Sequence, residues 1–296
     1  MSFEGLLGNA PALRRLTVMI EGGRRPHAFL FGGPEGVGKA LAAVEYGKAL
    51  GATPILIQRR EDKQDVILDQ IHELTRELSM TSAKPRVIVI DDAHRMSEEA
   101  QNAILKTLEE PPANTTIILV THVPDKLLGT IRSRCQTLFF HPLADAEIEG
   151  IARSKHRLDG DRAKIATLLA RGSIGALSGL IDTLDEIISA ARDLQERSVT
   201  GELNKLIEAL GKIKDNEEAR ARAKRDLGLV AQALREVLLA RTGYKPVLAT
   251  PTFLQKLSKL DEDAILERIE TLIDHARMID LNANVGLCVE DALLRV

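Results

Sequence analysis

Four consecutive β-branched residues, Val87 to Ile90, run straight into two carboxylates, Asp91 and Asp92. That short stretch limits the chain to few folds. Continuous apolar character without alternation suits a strand buried on both faces of a parallel sheet. Ligands of such sheets sit beyond the carboxyl ends of the strands, so Asp91 and Asp92 arrive where chemistry is done. A helix follows: Ala100, Ala103, Ile104, Thr107 and Leu108 share one face. Glu98 and Glu99 suit its positive start, and Pro111-Pro112 stops it. A second apolar run, 116–120, ends at Thr121, and the segment closes on Ser133-Arg134-Cys135. Strand, acid, helix, strand and basic turn make half of a nucleoside-triphosphate site, with the other half expected upstream.

That half is present. A short strand at 27–31 runs into Gly32-Gly33-Pro34-Glu35-Gly36-Val37-Gly38-Lys39-Ala40, and a helical pattern begins at Gly38. Strand, glycine loop and helix opening on Gly-Lys is the context a phosphate-binding loop requires. Small residues such as Gly33, Gly36 and Gly38 let backbone N–H groups converge on phosphate oxygens. The helix N-terminus adds positive potential and Lys39 a full charge. The next residue of the motif is Ser or Thr, and here it is Ala40, whose methyl group cannot ligate magnesium.

The remaining chain reads as helix with short strands. Strands are expected at 54–57 and 136–140, and a helix at 65–78 with Ile67, Ile71, Leu74 and Leu78 in a stripe. Helices at 145–155, at 161–171 and from 174 form a small cluster. Beyond it the patterns at 184–197, 201–214, 217–241, 251–257, 262–279 and 285–294 are helical, broken by Gly243 to Pro251. The basic residues Arg220, Arg222, Lys224 and Arg225 alternate with Glu217, Glu218 and Asp226, the pattern of a solvated helix face.

Composition removes several function classes. With 44% hydrophobic and 28% charged residues the chain has globular character, and no apolar run has the length of a membrane span. A net charge of −3 and the absence of Trp argue against a surface that grips DNA throughout or stacks single-stranded bases. The two cysteines, Cys135 and Cys288, make neither a disulfide framework nor a four-thiolate zinc site and read as buried apolar residues. No signal pattern opens the chain, so a cytoplasmic location is expected.

The run Ala103-Ile-Leu-Lys-Thr-Leu-Glu-Glu-Pro-Pro112, the turn Ile131-Arg-Ser-Arg-Cys135 and the opening GNAPALRRL…RRPHAFLFGGPEGVGK resemble the AAA+ clamp-loader subunits of bacterial DNA polymerase III. The architecture is shared with the replication factor C group. The resemblance covers about residues 3–185, and Asn282-Ala-Asn284 is similar to the start of the family's closing collar helix. It implies an α/β P-loop (AAA+) domain with a parallel sheet over 1–143, a small helical lid over 144–183 and an all-α collar over 184–296.

Within the family, motor subunits hydrolyse ATP, whereas the delta-prime subunit generally does not. Three departures resemble delta-prime. Ala40 replaces the magnesium-binding hydroxyl. Asp92 stands where motors carry the glutamate that positions water. Gly172-Ser173-Ile174-Gly175 occupies the lid motif in which motors place a sensor arginine, and Gly175 supplies no cation. Thr121 falls at the family's sensor position, and Asp91 at the acid that holds a cation through phosphates. By the same resemblance Arg134 is an arginine finger reaching into a neighbour's nucleotide site; as a plain structural residue it would cap a strand or pair with a carboxylate.

The resemblance thus implies a stator that binds ATP or ADP, if at all, without efficient hydrolysis. Its partners would be gamma/tau-type motors and a delta-type subunit, with the sliding clamp and primed DNA met through the complex. The family's four-cysteine module is missing between Leu50 and Pro54, so no zinc is expected and no metal ligand is assigned. An ATP-hydrolysing motor subunit is the alternative, and an unrelated P-loop enzyme a more distant one.

Overall fold

The computed structural model describes residues 3, 6–23, 25–58, 70–74, 76, 83–200 and 216–296. Of the expected elements, the helix at 201–214 and most of that at 65–78 lie outside the described residues. The chain divides into two compact units, Met1–Leu180 and Ile181–Val296.

In the first unit five strands form an all-parallel sheet: β1 (Ala28–Gly32), β2 (Ile55–Ile57), β3 (Arg86–Ile90), β4 (Thr115–Thr121) and β5 (Gln136–Phe139), in the order β2-β3-β4-β1-β5. Successive side chains alternate between two cores, as the pleat demands. Leu30, Ile88, Ile90, Ile117 and Leu119 pack on one face with Ala100, Ile104 and Leu108 from α3 (Glu98–Glu109). Phe29, Phe31, Val87, Val89, Ile118 and Val120 pack on the other, against α1 (Ala10–Glu21) and α2 (Lys39–Ala49), where Leu16, Ala42, Ala43 and Tyr46 lie. Both faces being covered is why these strands read as unbroken apolar runs. The sequence also set α3: Ser97 caps it, its Oγ accepting from Ala100 N at 3.2 Å, with Glu98 and Glu99 in the first turn.

After α4 (Gly129–Arg132) and β5, three helices close the unit: α5 (Asp145–Ser154), α6 (Gly160–Ala170) and α7 (Ile174–Leu180). They belong to the same compact unit as the sheet, and the division of the chain falls after Leu180, three residues before the boundary read at 183. The reason is local: Leu143 N donates to Gly172 O at 2.9 Å and Gly175 N to Gly36 O at 2.9 Å, tying the lid to the loops beneath it.

The second unit contains α8 (Leu184–Thr200), α9 (Glu217–Ala240), α10 (Pro251–Leu257), α11 (Glu262–Asp280) and α12 (Val285–Leu294). Leu194, Leu227, Val230, Leu234, Phe253, Ile265, Leu272, Ile279 and Val289 share its core. The extended breaker between α9 and α10 is held by side chains of α8 and α9. Glu236, fully buried, accepts through Oε2 from Val247 N, Leu248 N and Ala249 N at 3.1, 2.9 and 2.8 Å. Gln195 accepts from Thr250 N at 2.9 Å beside it. The basic cluster of α9 is committed within the chain. Arg220 donates to Ile279 O at 2.9 Å and Lys224 pairs with Asp280 at 2.5 Å, both at the negative end of α11.

Candidate functional site: a cleft at the carboxyl end of the sheet

Because β3, β4 and β1 are neighbours, their carboxyl ends bring three loops together. A cleft of about 400 Å³ opens there, lined by Gly36, Gly38, Lys39, Ala40, Asp91, Asp92, Thr121, His122 and, from the lid side, Lys155, Ile174 and Gly175. Seven residues singled out in the sequence thus meet in one place: Gly36, Gly38, Lys39, Ala40, Asp91, Asp92 and Thr121. Gly33 is not among the lining residues. Its carbonyl accepts instead from Lys39 Nζ at 2.6 Å, and the Pro34 carbonyl accepts from the same ammonium. Burial pushes the Lys39 pKa below the usual lysine range, against the pull of Asp91, Glu35 and Asp92.

The glycines explain how the loop and lid approach so closely. Gly36 has φ +69, and a Cβ there would lie 2.1 Å from Ser173 Oγ and 3.1 Å from Gly175 Cα. A Cβ on Gly175 would lie 2.9 Å from Gly36 Cα. The two backbones touch, and neither position has room for a side chain.

The acids sit differently from each other. Asp91 Oδ1 accepts from Asp92 N at 3.0 Å, and Gln58 Nε2 lies 3.4 Å from Oδ2. Asp92 takes a left-handed backbone, φ 49, which Asp tolerates better than most residues, and Arg95 Nε lies 3.5 Å from its carboxyl. Thr121 Oγ1 accepts from Val123 N at 3.0 Å, so the hydroxyl caps the turn after β4. Ala40 offers the cleft no oxygen. The residues present therefore fit a phosphate tail held by loop amides and Lys39, without the hydroxyl that would bind its magnesium.

Arg134 lies outside the cleft lining, one residue beyond the C-cap of α4. Its guanidinium donates to Thr130 O at 2.9 Å and pairs with Glu109 at 2.7 Å. Both partners are on its own chain, which is the carboxylate pairing a structural arginine makes. The pair is partly exposed, and such pairs contribute only about 0–1 kcal/mol.

Two residues that sequence reading missed join the site. His94 and His122 stack edge to face with ring centroids 4.2 Å apart, and with Asp92 they form a group whose ligand-type atoms all lie within 4.8 Å. Glu35 Oε1 stands 3.0 Å from His122 Nδ1, near enough to pair but not aligned for a hydrogen bond. Burial pushes the His94 pKa down, as does His122 beside it, while Asp92 opposes them. The usable signal was positional: each histidine follows the end of a strand, and those strands, β3 and β4, are adjacent.

Cys135 is kept inert by burial, which raises its pKa to about 12. Its thiolate fraction at pH 8 is then about a thousandfold below that of an ordinary thiol. Alkylation by iodoacetamide in the folded chain is expected to be slower by that order and to reach the ordinary rate in urea. Peptide mass mapping of modified Cys135 measures both.

The comparisons agree with this geometry. The family model described as DNA polymerase III, delta subunit, matches residues 51–144. The chain is 34% identical over 218 residues to the DNA polymerase III subunit tau of Salmonella typhimurium, covering 64% of this chain and 33% of that one. It is 34% identical over 160 residues to the DNA polymerase III subunit delta' of Bacillus subtilis, covering 46% of this chain and 49% of the relative. It thus spans less than half of either relative's length. In fold it is similar to a DNA polymerase III gamma subunit-related protein from Thermotoga maritima, with TM-score 0.55, 18% identity and coverage of 94% and 97% of the two chains. A parallel sheet with a phosphate-loop cleft is the fold shared with the Thermotoga protein, and across the matched stretches the chain resembles the clamp-loader subunits of bacterial DNA polymerase III.

Proposed function

We propose that the chain is a delta-prime-type stator of a clamp loader, a subunit that hydrolyses little ATP itself and helps place a sliding clamp on primed DNA. One observation carries this reading. The cleft keeps its loop, Lys39, Asp91 and Thr121, yet three features that would drive hydrolysis are missing or altered: Ala40 has no hydroxyl, Asp92 is one methylene shorter than a glutamate, and Gly175 packs on Gly36 where a sensor arginine would need space. Phosphoryl transfer depends on positioning and charge stabilisation, and these are the groups that supply them. Such a cleft can hold ADP or ATP through amides and Lys39 without turning it over.

On the same reading Arg134 serves a neighbouring motor. It lines no part of the chain's own cleft, and its ties to Thr130 and Glu109 are partly exposed ones that a neighbour's triphosphate can outcompete. The partners would be gamma/tau-type and delta-type subunits, with the clamp and DNA reached through the assembly.

The alternative, an active motor, draws support from the longer stretch of similarity to tau than to delta'. Steady-state phosphate release by the purified chain with magnesium and ATP separates the two. We expect turnover no higher than that of the Lys39→Ala variant. Lys39-dependent turnover of about 1 per second or more, the range of working phosphoryl-transfer enzymes, would return the chain to the motor class.

A further inference from the structure

We propose that Asp92, His94 and His122 bind a divalent transition-metal ion of the zinc class at the edge of the cleft. The three residues are the group of potential ligands that the fold brings together among the described residues, with one ligand-type atom from each lying within 4.8 Å of the others. Independently, Nδ1 of His94 and Nδ1 of His122 are both buried and without a hydrogen-bond partner. Buried polar atoms are nearly always satisfied; neither Nδ1 of these touching rings has a hydrogen bond, and His122 Nδ1 has only the unaligned Glu35 carboxylate 3.0 Å away, so the pair calls for a further group. A metal ion supplies one that accepts lone pairs from both.

The donor set selects the class of ion. Two imidazoles and one carboxylate suit zinc, cobalt or nickel, whereas magnesium and calcium demand oxygen ligands. Tetrahedral zinc with three protein ligands keeps its fourth position open. Asp92 and His122 both line the cleft, so that position is available to water or to a phosphate oxygen of a molecule bound there. Glu35, 3.0 Å from His122 Nδ1, is placed beside the metal-facing nitrogen, where its carboxylate can complete the shell. The site differs in kind from a four-cysteine module: it uses no thiolate, and neither Cys135 nor Cys288 is part of it. It also stands apart from the stator reading, since it depends only on the packing of β3 against β4.

The test uses the tag-free chain of 296 residues. Zinc is titrated calorimetrically in excess magnesium, and cobalt is followed by its visible absorption. One equivalent of zinc should bind, and cobalt should give the intense bands of a low-symmetry site. His122→Ala and His94→Ala should each weaken zinc binding by at least about tenfold, the effect of disturbing even an outer partner of a metal site. His141→Ala, on an exposed loop residue, should leave it unchanged. Circular dichroism and thermal melts show which variants fold, and in a folded variant the zinc-dependent rise in melting temperature should disappear. Failure to bind a stoichiometric ion, or binding that persists in the folded His122→Ala chain, would overturn the proposal.

Discussion

On the stator reading proposed above, Arg134→Ala is expected to lower the DNA-stimulated ATP turnover of the reconstituted clamp-loader complex by about 10³-fold at the neighbouring site, the lower end of what a trans arginine supplies. The argument rests on where the fold leaves this side chain. Ile131, fully buried, anchors α4 against the sheet, and Arg134 N donates to Ile131 O at 3.1 Å, so the turn carrying Arg134 is set by the core. Only the guanidinium is loosely held, by Glu109 and Thr130. A group acting in the transition state lowers kcat while leaving the apparent affinity for ATP little changed. Arg134→Lys should recover little, because a single ammonium lacks the planar fork. Size-exclusion chromatography checks that the variant still assembles. Turnover matching the parent complex would leave Arg134 as a residue that ties α4 to the Leu-Glu-Glu-Pro-Pro segment and nothing more.

Glu236→Ala should destabilise the helical second unit by about 3 kcal/mol or more, read from urea denaturation. The carboxyl group satisfies the N–H groups of Val247, Leu248 and Ala249, and the residues around it are buried or nearly so. Deleting it strands three donors, each costing about 1–3 kcal/mol, within a total stability of typically about 5–15 kcal/mol. Glu236→Gln retains one acceptor oxygen and should lose less. A loss below about 1 kcal/mol for the alanine variant would mean that the segment repacks and finds other acceptors.

How far the sequence spoke depended on whether a structural requirement was local. The strands β1, β3 and β4 were visible because each is short, apolar and covered on both sides, whereas the edge strands β2 and β5 are partly exposed and were legible only as short β-forming runs. Their limits moved by a residue or two where pairing extends them, as when Arg86 pairs with Thr115 beyond the apolar run. The cleft residues were visible because a phosphate loop and a strand-ending acid pair each occupy one continuous stretch. Thr121 was named for its position, but its hydroxyl proves to be engaged with Val123. The His94–His122 pair was not visible, since neither histidine means anything until β3 and β4 are known to be neighbours. Glu236 escaped for the same reason: in sequence it is one acid on a long amphipathic helix, and its role lies in three amides of a later segment.

Gly175 was read as something lacking, a place without a positive charge. The backbone contact with Gly36 gives that position a second meaning. Returning an arginine to residue 175 would not simply restore a vanished capability, because the first atom of any new side chain would meet main chain that cannot step aside. The phosphate loop and the lid helix would have to part first, which needs changes at several positions together. A single substitution at residue 175 is therefore closed off by geometry, whatever charge it would bring.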